Sequence, residues 1–508
     1  MANISFNLSG EWDDVRQVLR HFSAETILKR ISSEAIALQK SIDTNNRECV
    51  KWVEYELFNS TTRVFQKQKS VITVWGMINL AFYTVVASND YRGERTISDE
   101  EFYLLFDAVE GMRQKNEKMF LDTVEARSKE MYMYLWGFAG EQFKVQEQNK
   151  ILENAGRELY ILFESSRKVQ DLTIDISAIV QEEMGMSWEK VACGLLLGWA
   201  CSKIYWRITE PQFSFDDPDI LSKEEYLKVI SHYSISYEKL RNSKFQRQTL
   251  YAKPYICTQK NDTLGIIPFL NLCVYEHAIL WIVRDHFKRT NQEDQRVSSF
   301  FGKCFEKYFE ELLSSYLRAD EYEKIPETRT RRADWKLRID GYGFLVEQKS
   351  SLIRLSVKQQ EPSLDDLEYY AKETLIKAIR QLNRTEIDFA DGQFFKIILL
   401  YDDYLSPEVL EQVFAMEECD VQSDDHYWLV TIEEMEILLG LCQEHRDVFD
   451  SIIEEKNRRE ASHSNEGKSL LQIMRGKRIW ENTFLNREAI AHYRDFASDQ
   501  LTKFLGKN

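Results

Sequence analysis

The stretch from Ala333 to Ser350, ADWKLRIDGYGFLVEQKS, sets an aspartate, a glutamate and a lysine along what its pattern predicts to be a β-hairpin. Trp335, Leu337 and Ile339 alternate with Asp334, Lys336 and Arg338, the two-residue period of a half-buried strand. Asp340-Gly341 is a strong turn signal, and on the return strand Phe344 and Val346 alternate with Leu345, Glu347 and Lys349. A two-residue turn sets Asp334 opposite Glu347. A loop from Asp340 to Gly343 sets Asp334 opposite Lys349 and Lys336 opposite Glu347. Both registers put Asp334, Glu347 and Lys349 on one face, whereas a three-residue loop would part them. Facing residues have Cβ atoms about 4.5–5.5 Å apart, where like charges repel. Two carboxylates so placed are most easily explained by a cation between them, and oxygen ligands favour Mg2+, with Mn2+ as a substitute, over zinc. Lys349 can hold a phosphate or a nucleophilic water beside that metal. The chemistry expected is metal-dependent phosphodiester hydrolysis.

Asp334, followed after a gap by Glu347-Gln348-Lys349, resembles the bipartite motif of the PD-(D/E)XK nuclease superfamily. Gly302-Lys-Cys-Phe-Glu306-Lys-Tyr308 is similar to the G-x-x-F-E-x-Y segment that many members carry, which implies Glu306 as a third metal-site residue beside Asp334 and Glu347. Gln381, in Lys377-Ala-Ile-Arg-Gln381-Leu382, resembles the helix glutamine of that family and completes the expected catalytic set with Lys349. One departure is Ala333, which stands where the name-giving proline would be. The resemblance covers roughly residues 299 to 440. It implies an α/β restriction-endonuclease-like core, αβββαβ with a mixed sheet, and a Mg2+-dependent endonuclease or exonuclease.

The elements that must position these residues can be read around them. Ser299 to Leu317 is an amphipathic helix, and a strand around Glu323 to Thr328 would precede the hairpin. A helix from about Asp365 to Arg384 follows, then strands at Phe394 to Tyr401 and His426 to Thr431, then a helix at Ile432 to Cys442. The expected division is a helical region over 1–290, a nuclease domain over 291–442 and a helical extension over 443–508, with a polar loop at Asn457 to Lys468. Before residue 290 apolar residues recur at helical spacing, as in Val71-Trp75-Ile78-Phe82 and Leu272-Tyr275-Ile279-Ile282, so this large region is expected to be all-α. It would serve in sensing, substrate selection or assembly, with a homo-oligomer or a partner protein as the expected associate.

Met1 to Trp12 has neither a basic start nor a long apolar run, so no signal peptide is expected there. The apolar run Val191 to Trp206 is shorter than the roughly 20 residues of a membrane span and contains Lys203, so it is expected to be a buried helix of a cytoplasmic protein. The eight cysteines have no C-x-x-C spacing; Cys273 with His277 and Cys442 with His445 are expected to be core thiols rather than a zinc site. A net charge of −17 argues against a nucleic-acid binder as a whole. Yet Arg329 to Arg338 carries five basic residues and one acid, so one face could meet nucleic acid, DNA ahead of RNA. Arg331, Arg332, Ser350 and Lys377 are the expected contacts. By analogy alone, a large helical region joined to such a core suggests a bacterial anti-phage defence effector. The alternatives are a catalytically silent nucleic-acid-binding or assembly module, and an RNA-cleaving toxin using the same site.

Overall fold

The computed structural model describes residues 11–41, 50–59, 63–88, 95–123, 148–170, 174–210, 214–243, 248–258, 262–290, 294–326, 331–351, 368–389, 392–401, 405, 407–462 and 467–505. The chain opens with helices α1 (Trp12–Leu19) and α2 (Ala24–Ser41), followed by a hairpin of β1 (Val50–Asn59) and β2 (Val64–Thr73). Helix α3 (Val74–Ala87) starts where the Thr73 hydroxyl accepts the Gly76 N–H at 3.0 Å, and α4 (Asp99–Thr123) packs against it. The region before residue 290 is therefore not all-α. Besides the hairpin it holds a three-stranded sheet of β3 (Ser234–Ser236), β4 (Tyr255–Cys257) and β5 (Thr263–Gly265). These strands escape a periodicity reading for two reasons. Three residues are too few to show a period. On β2, Ser70 and Ile72 turn inward, while the Gln66-Lys67-Gln68-Lys69 run looks like solvated loop.

Helices α5 (Gln148–Phe163), α6 (Ile176–Met184), α7 (Trp188–Ser202), α8 (Lys223–His232), α9 (Pro268–Glu276) and α10 (Ala278–Arg289) are the longer helices of the rest of this part. The apolar run at 191 is indeed a buried helix, α7, which ends at Ser202. No described helix is long and apolar enough to cross a membrane. The Leu272-to-Ile282 repeat is broken at His277, which leaves helical geometry between α9 and α10.

Helix α11 (Asp294–Tyr316) then leads into a five-stranded mixed sheet. Its strands are β6 (Tyr322–Lys324), β7 (Trp335–Ile339), β8 (Tyr342–Lys349), β9 (Phe395–Leu400) and β10 (Tyr427–Thr431), in the spatial order 10-9-8-7-6. β7 is antiparallel to both β6 and β8, whereas β8, β9 and β10 run parallel. Parallel neighbours need a crossover, and helix α12 (Lys377–Phe389) supplies it between β8 and β9. A six-residue π-helical turn, Ala371–Ile376, precedes α12, so the expected helix from 365 is not a uniform α-helix; residues 365–367 lie outside the described residues. Helix α13 (Ile432–Glu444) starts from a capping box of Thr431 and Glu434. Helices α14 (Arg446–Ala461) and α15 (Glu488–Leu505) follow. α14 continues through Asn457 to Ala461, so the polar loop expected from 457 begins only after that helix.

The sheet is covered on both sides. One face, with Trp335, Leu337, Phe344, Val346 and Trp428, packs on α11 residues such as Phe305 and Phe309. The other, with Leu345, Ile398 and Leu400, packs on Ile379 and Leu382 of α12. The break between α10 and α11 coincides with residue 290, yet Val283 and Phe287 before it share a buried cluster with Phe300 and Val346 after it.

Candidate active site

Asp340 and Gly341 take positive φ values of 51° and 87°, the backbone of a two-residue hairpin turn. The register that follows pairs Trp335 with Val346 and Ile339 with Tyr342. This is the first of the two registers expected from the sequence. Asp334 lies in a bend just before the paired strand, donates its N–H to the Val346 carbonyl at 3.0 Å, and is near enough for its charge to act on Glu347. Glu347 and Lys349 alternate with Leu345 onto the face of the sheet that α12 covers.

Each side chain there has a defined partner. The Gln348 N–H donates to Asp334 Oδ2 at 2.7 Å. Lys349 Nζ donates to Glu347 Oε1 at 2.6 Å and to Gln381 Oε1 at 3.2 Å. Gln381 Nε2 in turn donates to the Arg332 carbonyl at 3.1 Å. Glu347 is 3% exposed, and no hydrogen bond reaches its Oε2. A buried, orphaned carboxylate oxygen is a costly arrangement unless something binds it. Burial pushes the Glu347 carboxyl up to about 8; Lys349 pulls the other way and Asp334 adds to the rise. Burial likewise pushes Asp334 up to about 6, against the Gln348 N–H and Lys349, with Glu306 adding to the rise.

The residue between the motif's charges faces the opposite side. Gln348 Oε1 accepts the Trp335 indole N–H at 2.7 Å, and its Nε2 donates to the Phe305 carbonyl on α11 at 3.4 Å. That bond ties the helix carrying Glu306 to the strand carrying Glu347. Gly302 lets the two approach, since a Cβ there would lie 3.2 Å from Ser350 Oγ.

Glu306 is near enough to Asp334 to raise its pKa, but its carboxylate forms an ion pair with Lys324 on β6. Asp334, Glu347 and Glu306 do not bring three ligand oxygens within 4.8 Å of one another. The described residues that do so as groups are Glu182, Glu183 and His286, and Asp424, Asp425 and His426. In the first, Glu183 is paired with His286 and Arg289; in the second, Asp424 is paired with Lys396, so both are occupied as ion pairs.

The expected nucleic-acid contacts divide. Arg331 is exposed. Arg332 Nε sits 2.8 Å from Asp388 Oδ2 on α12. Lys377 is paired with Glu373, and Ser350 packs at Gly302. The basic stretch does not form one continuous face. Lys336 is 8% exposed, with its ammonium 3.9 Å from the Phe389 ring centroid, because the alternation that exposes Arg338 at the sheet's end drives Lys336 under α12. Arg329 lies outside the described residues.

Three site neighbours were not singled out from the sequence. Lys324 belongs to a strand only loosely placed. Gln348 sits inside the motif, where its two-residue offset from Val346 signals the Trp335 face. Thr385 lies four residues after Gln381, a spacing that puts both on one helix face. Its hydroxyl accepts the Ala333 N–H at 2.8 Å and donates to the Gln381 carbonyl at 2.7 Å. Comparison with protein-family models, with curated proteins and with solved structures finds no match to this chain.

Proposed function

We propose that this protein is a metal-dependent nuclease that hydrolyses phosphodiester bonds, DNA ahead of RNA, with Asp334, Glu347, Lys349 and Gln381 as its working residues. The observation that carries the reading is a buried Glu347 whose Oε2 is unpartnered, with Lys349 Nζ 2.6 Å from Oε1 and Asp334 at the head of the same hairpin, close enough for its charge to act on Glu347. The order α11, β6, β7, β8, α12, β9 agrees with the αβββαβ core that the resemblance to PD-(D/E)XK nucleases implies.

The donor set fits Mg2+ or Mn2+: carboxylate oxygens, no thiol or imidazole, and an oxygen already stripped of water. Asp334 and Glu347 would hold the cation, with Glu306 joining once released from Lys324. Bound there, it would supply Lewis-acid charge to a phosphoryl oxygen and lower the pKa of water. Lys349 places a positive charge where a phosphate or the attacking water would lie. Gln381 fixes that ammonium by accepting one of its protons, and burial of the pair strengthens both interactions.

One observation favours a second reading, a silent nuclease-fold module for binding or assembly: Glu306 is engaged by Lys324, and the three carboxylates are not gathered at ligand distance. The test separates the two. Wild type and Lys349→Ala are incubated with plasmid, linear duplex, single-stranded DNA and RNA, in Mg2+, Mn2+ or EDTA. Metal-dependent cutting lost in the variant supports the nuclease, and the substrate that is cut decides between DNA and RNA. Equal cutting by both proteins sinks the assignment of Lys349. No metal-dependent cutting together with no binding of Mn2+ by the wild type favours the silent module.

A further inference from the structure

One peptide unit beside the candidate site is held at both ends by one helix. The carbonyl of Arg332 accepts from Gln381 Nε2 at 3.1 Å, and the N–H of Ala333, across the same peptide bond, donates to Thr385 Oγ1 at 2.8 Å. Positions 381 and 385 are one helical turn apart on α12, so their side chains lie one above the other. Ala333 and Thr385 are 2% and 0% exposed, so no water can replace either partner. The Thr385 proton is committed to the Gln381 carbonyl at 2.7 Å, which leaves the hydroxyl lone pairs to accept from Ala333.

The residue after that peptide is Asp334. Its own N–H donates to the Val346 carbonyl at 3.0 Å, and its carbonyl accepts from the Ile325 N–H at 2.9 Å. The backbone on both sides of the aspartate is thus pinned, to the sheet by Val346 and Ile325 and to α12 by Gln381 and Thr385. Gln381 also accepts from Lys349, so the group that holds the peptide holds the ammonium too.

We propose that Thr385 is a positioning residue for this site: by clamping the 332–333 peptide together with Gln381, it fixes the direction in which the Asp334 carboxylate leaves the strand and the place of the Lys349 ammonium. The proposal rests on the nuclease reading above. Its chemistry is specific. The clamp needs a hydroxyl at 385 and an N–H at 333, and a proline at 333 could not supply the second. Ala333 and Thr385 are a matched pair.

The test compares Thr385→Val, which keeps the branched shape and removes the hydroxyl, with Thr385→Ser, which keeps the hydroxyl. Three quantities are read: Mn2+ affinity of the metal-free protein by calorimetry, amide exchange over residues 332–334, and kcat and KM for nucleic-acid cleavage. The valine variant is expected to lose about tenfold or more in Mn2+ affinity and in kcat, the size seen when a residue supporting a metal ligand is removed. Its KM should stay within about twofold, since bulk substrate binding does not pass through this peptide. Its 332–334 amides should exchange faster, and serine should restore all three. If Thr385→Val does not fold, Thr385→Cys, similar in size and a weak acceptor, carries the same comparison. A valine variant equal to wild type in Mn2+ affinity and kcat overturns the clamp and leaves the nuclease reading standing. So does a serine variant as impaired as the valine one. A wild type that binds no Mn2+ takes both readings down.

Discussion

Arg157 and Glu436 lie on α5 and α13 and meet through two hydrogen bonds of 2.7 and 2.8 Å, with side chains 2% and 0% exposed. Tyr308 Oη and Asn482 Nδ2 complete the shell of the carboxylate at 2.6 and 2.5 Å. Four separate stretches of chain meet at one buried ion pair, and Tyr308 ties it to the helix carrying Glu306. Removing one partner leaves the other buried without compensation. Arg157→Met should therefore lower the unfolding free energy by about 3–5 kcal/mol. Adding Glu436→Leu should recover only part, because Tyr308 and Asn482 then lose their acceptor. Denaturant unfolding of both single variants and the double variant checks this; additive losses would contradict it.

The carboxylates of the site predict a pH dependence of the metal-free protein. Glu347 is raised from 4.5 to about 8 and Asp334 from 3.8 to about 6. A folded state that keeps protons the unfolded chain has released is stabilised at low pH and loses that stability as pH rises through the folded pKa. The thermal midpoint of wild type, minus that of Glu347→Gln, should thus fall between about pH 4.5 and 8 and level off above. Saturating Mg2+ should reverse the fall, because it binds only the folded site. A pH-independent difference between the two proteins would contradict burial of Glu347 as its cause.

Gly341 offers a purely conformational test. Its φ is 87° and a Cβ there would meet no atom within 4 Å, so a larger side chain suffers strain and no clash. Gly341→Val should cost about 1–3 kcal/mol, and Gly341→Asn clearly less. Chemical denaturation of the two variants reads the difference. Equal losses would point to a turn of another kind.

Arg331 and Arg332 are neighbours with different expected phenotypes. Arg331 is exposed, whereas Arg332 is paired with Asp388. Arg331→Ala should weaken duplex binding measured in EDTA and reduce the slope of log K against log salt by about 0.9, one phosphate contact. Arg332→Ala should act on the stability of α12 more than on that slope. Unchanged salt dependence in Arg331→Ala would remove it from the interface.

The parts of this site that could be read in the sequence are those encoded within a few residues. The hairpin announces itself through period-two alternation and Asp340-Gly341, and its register then follows from turn length. α11 and the core of α12 show helical periodicity. Glu306 and Gln381 could be placed only through a resemblance, because nothing local in their helices distinguishes them from solvated polar residues. The Lys324–Glu306 pair and the Thr385–Ala333 bond were invisible, since both join segments brought together by packing alone. The β1–β2 hairpin was hidden differently: Gln66 and Gln68 stand in line with the inward Ser70 and Ile72 of β2, while Trp52 and Phe65 are exposed, so no apolar alternation shows.

The apolar cluster that continues across residue 290 has a consequence for anyone wishing to move the proposed site elsewhere. A fragment starting at 291 would leave behind Leu159, Val283 and Phe287, and would carry Glu436 without Arg157. It would present a raw greasy wall and a naked buried anion to water. The C-terminal half is not a cassette; it is one side of a joint, portable only with the helices that close it.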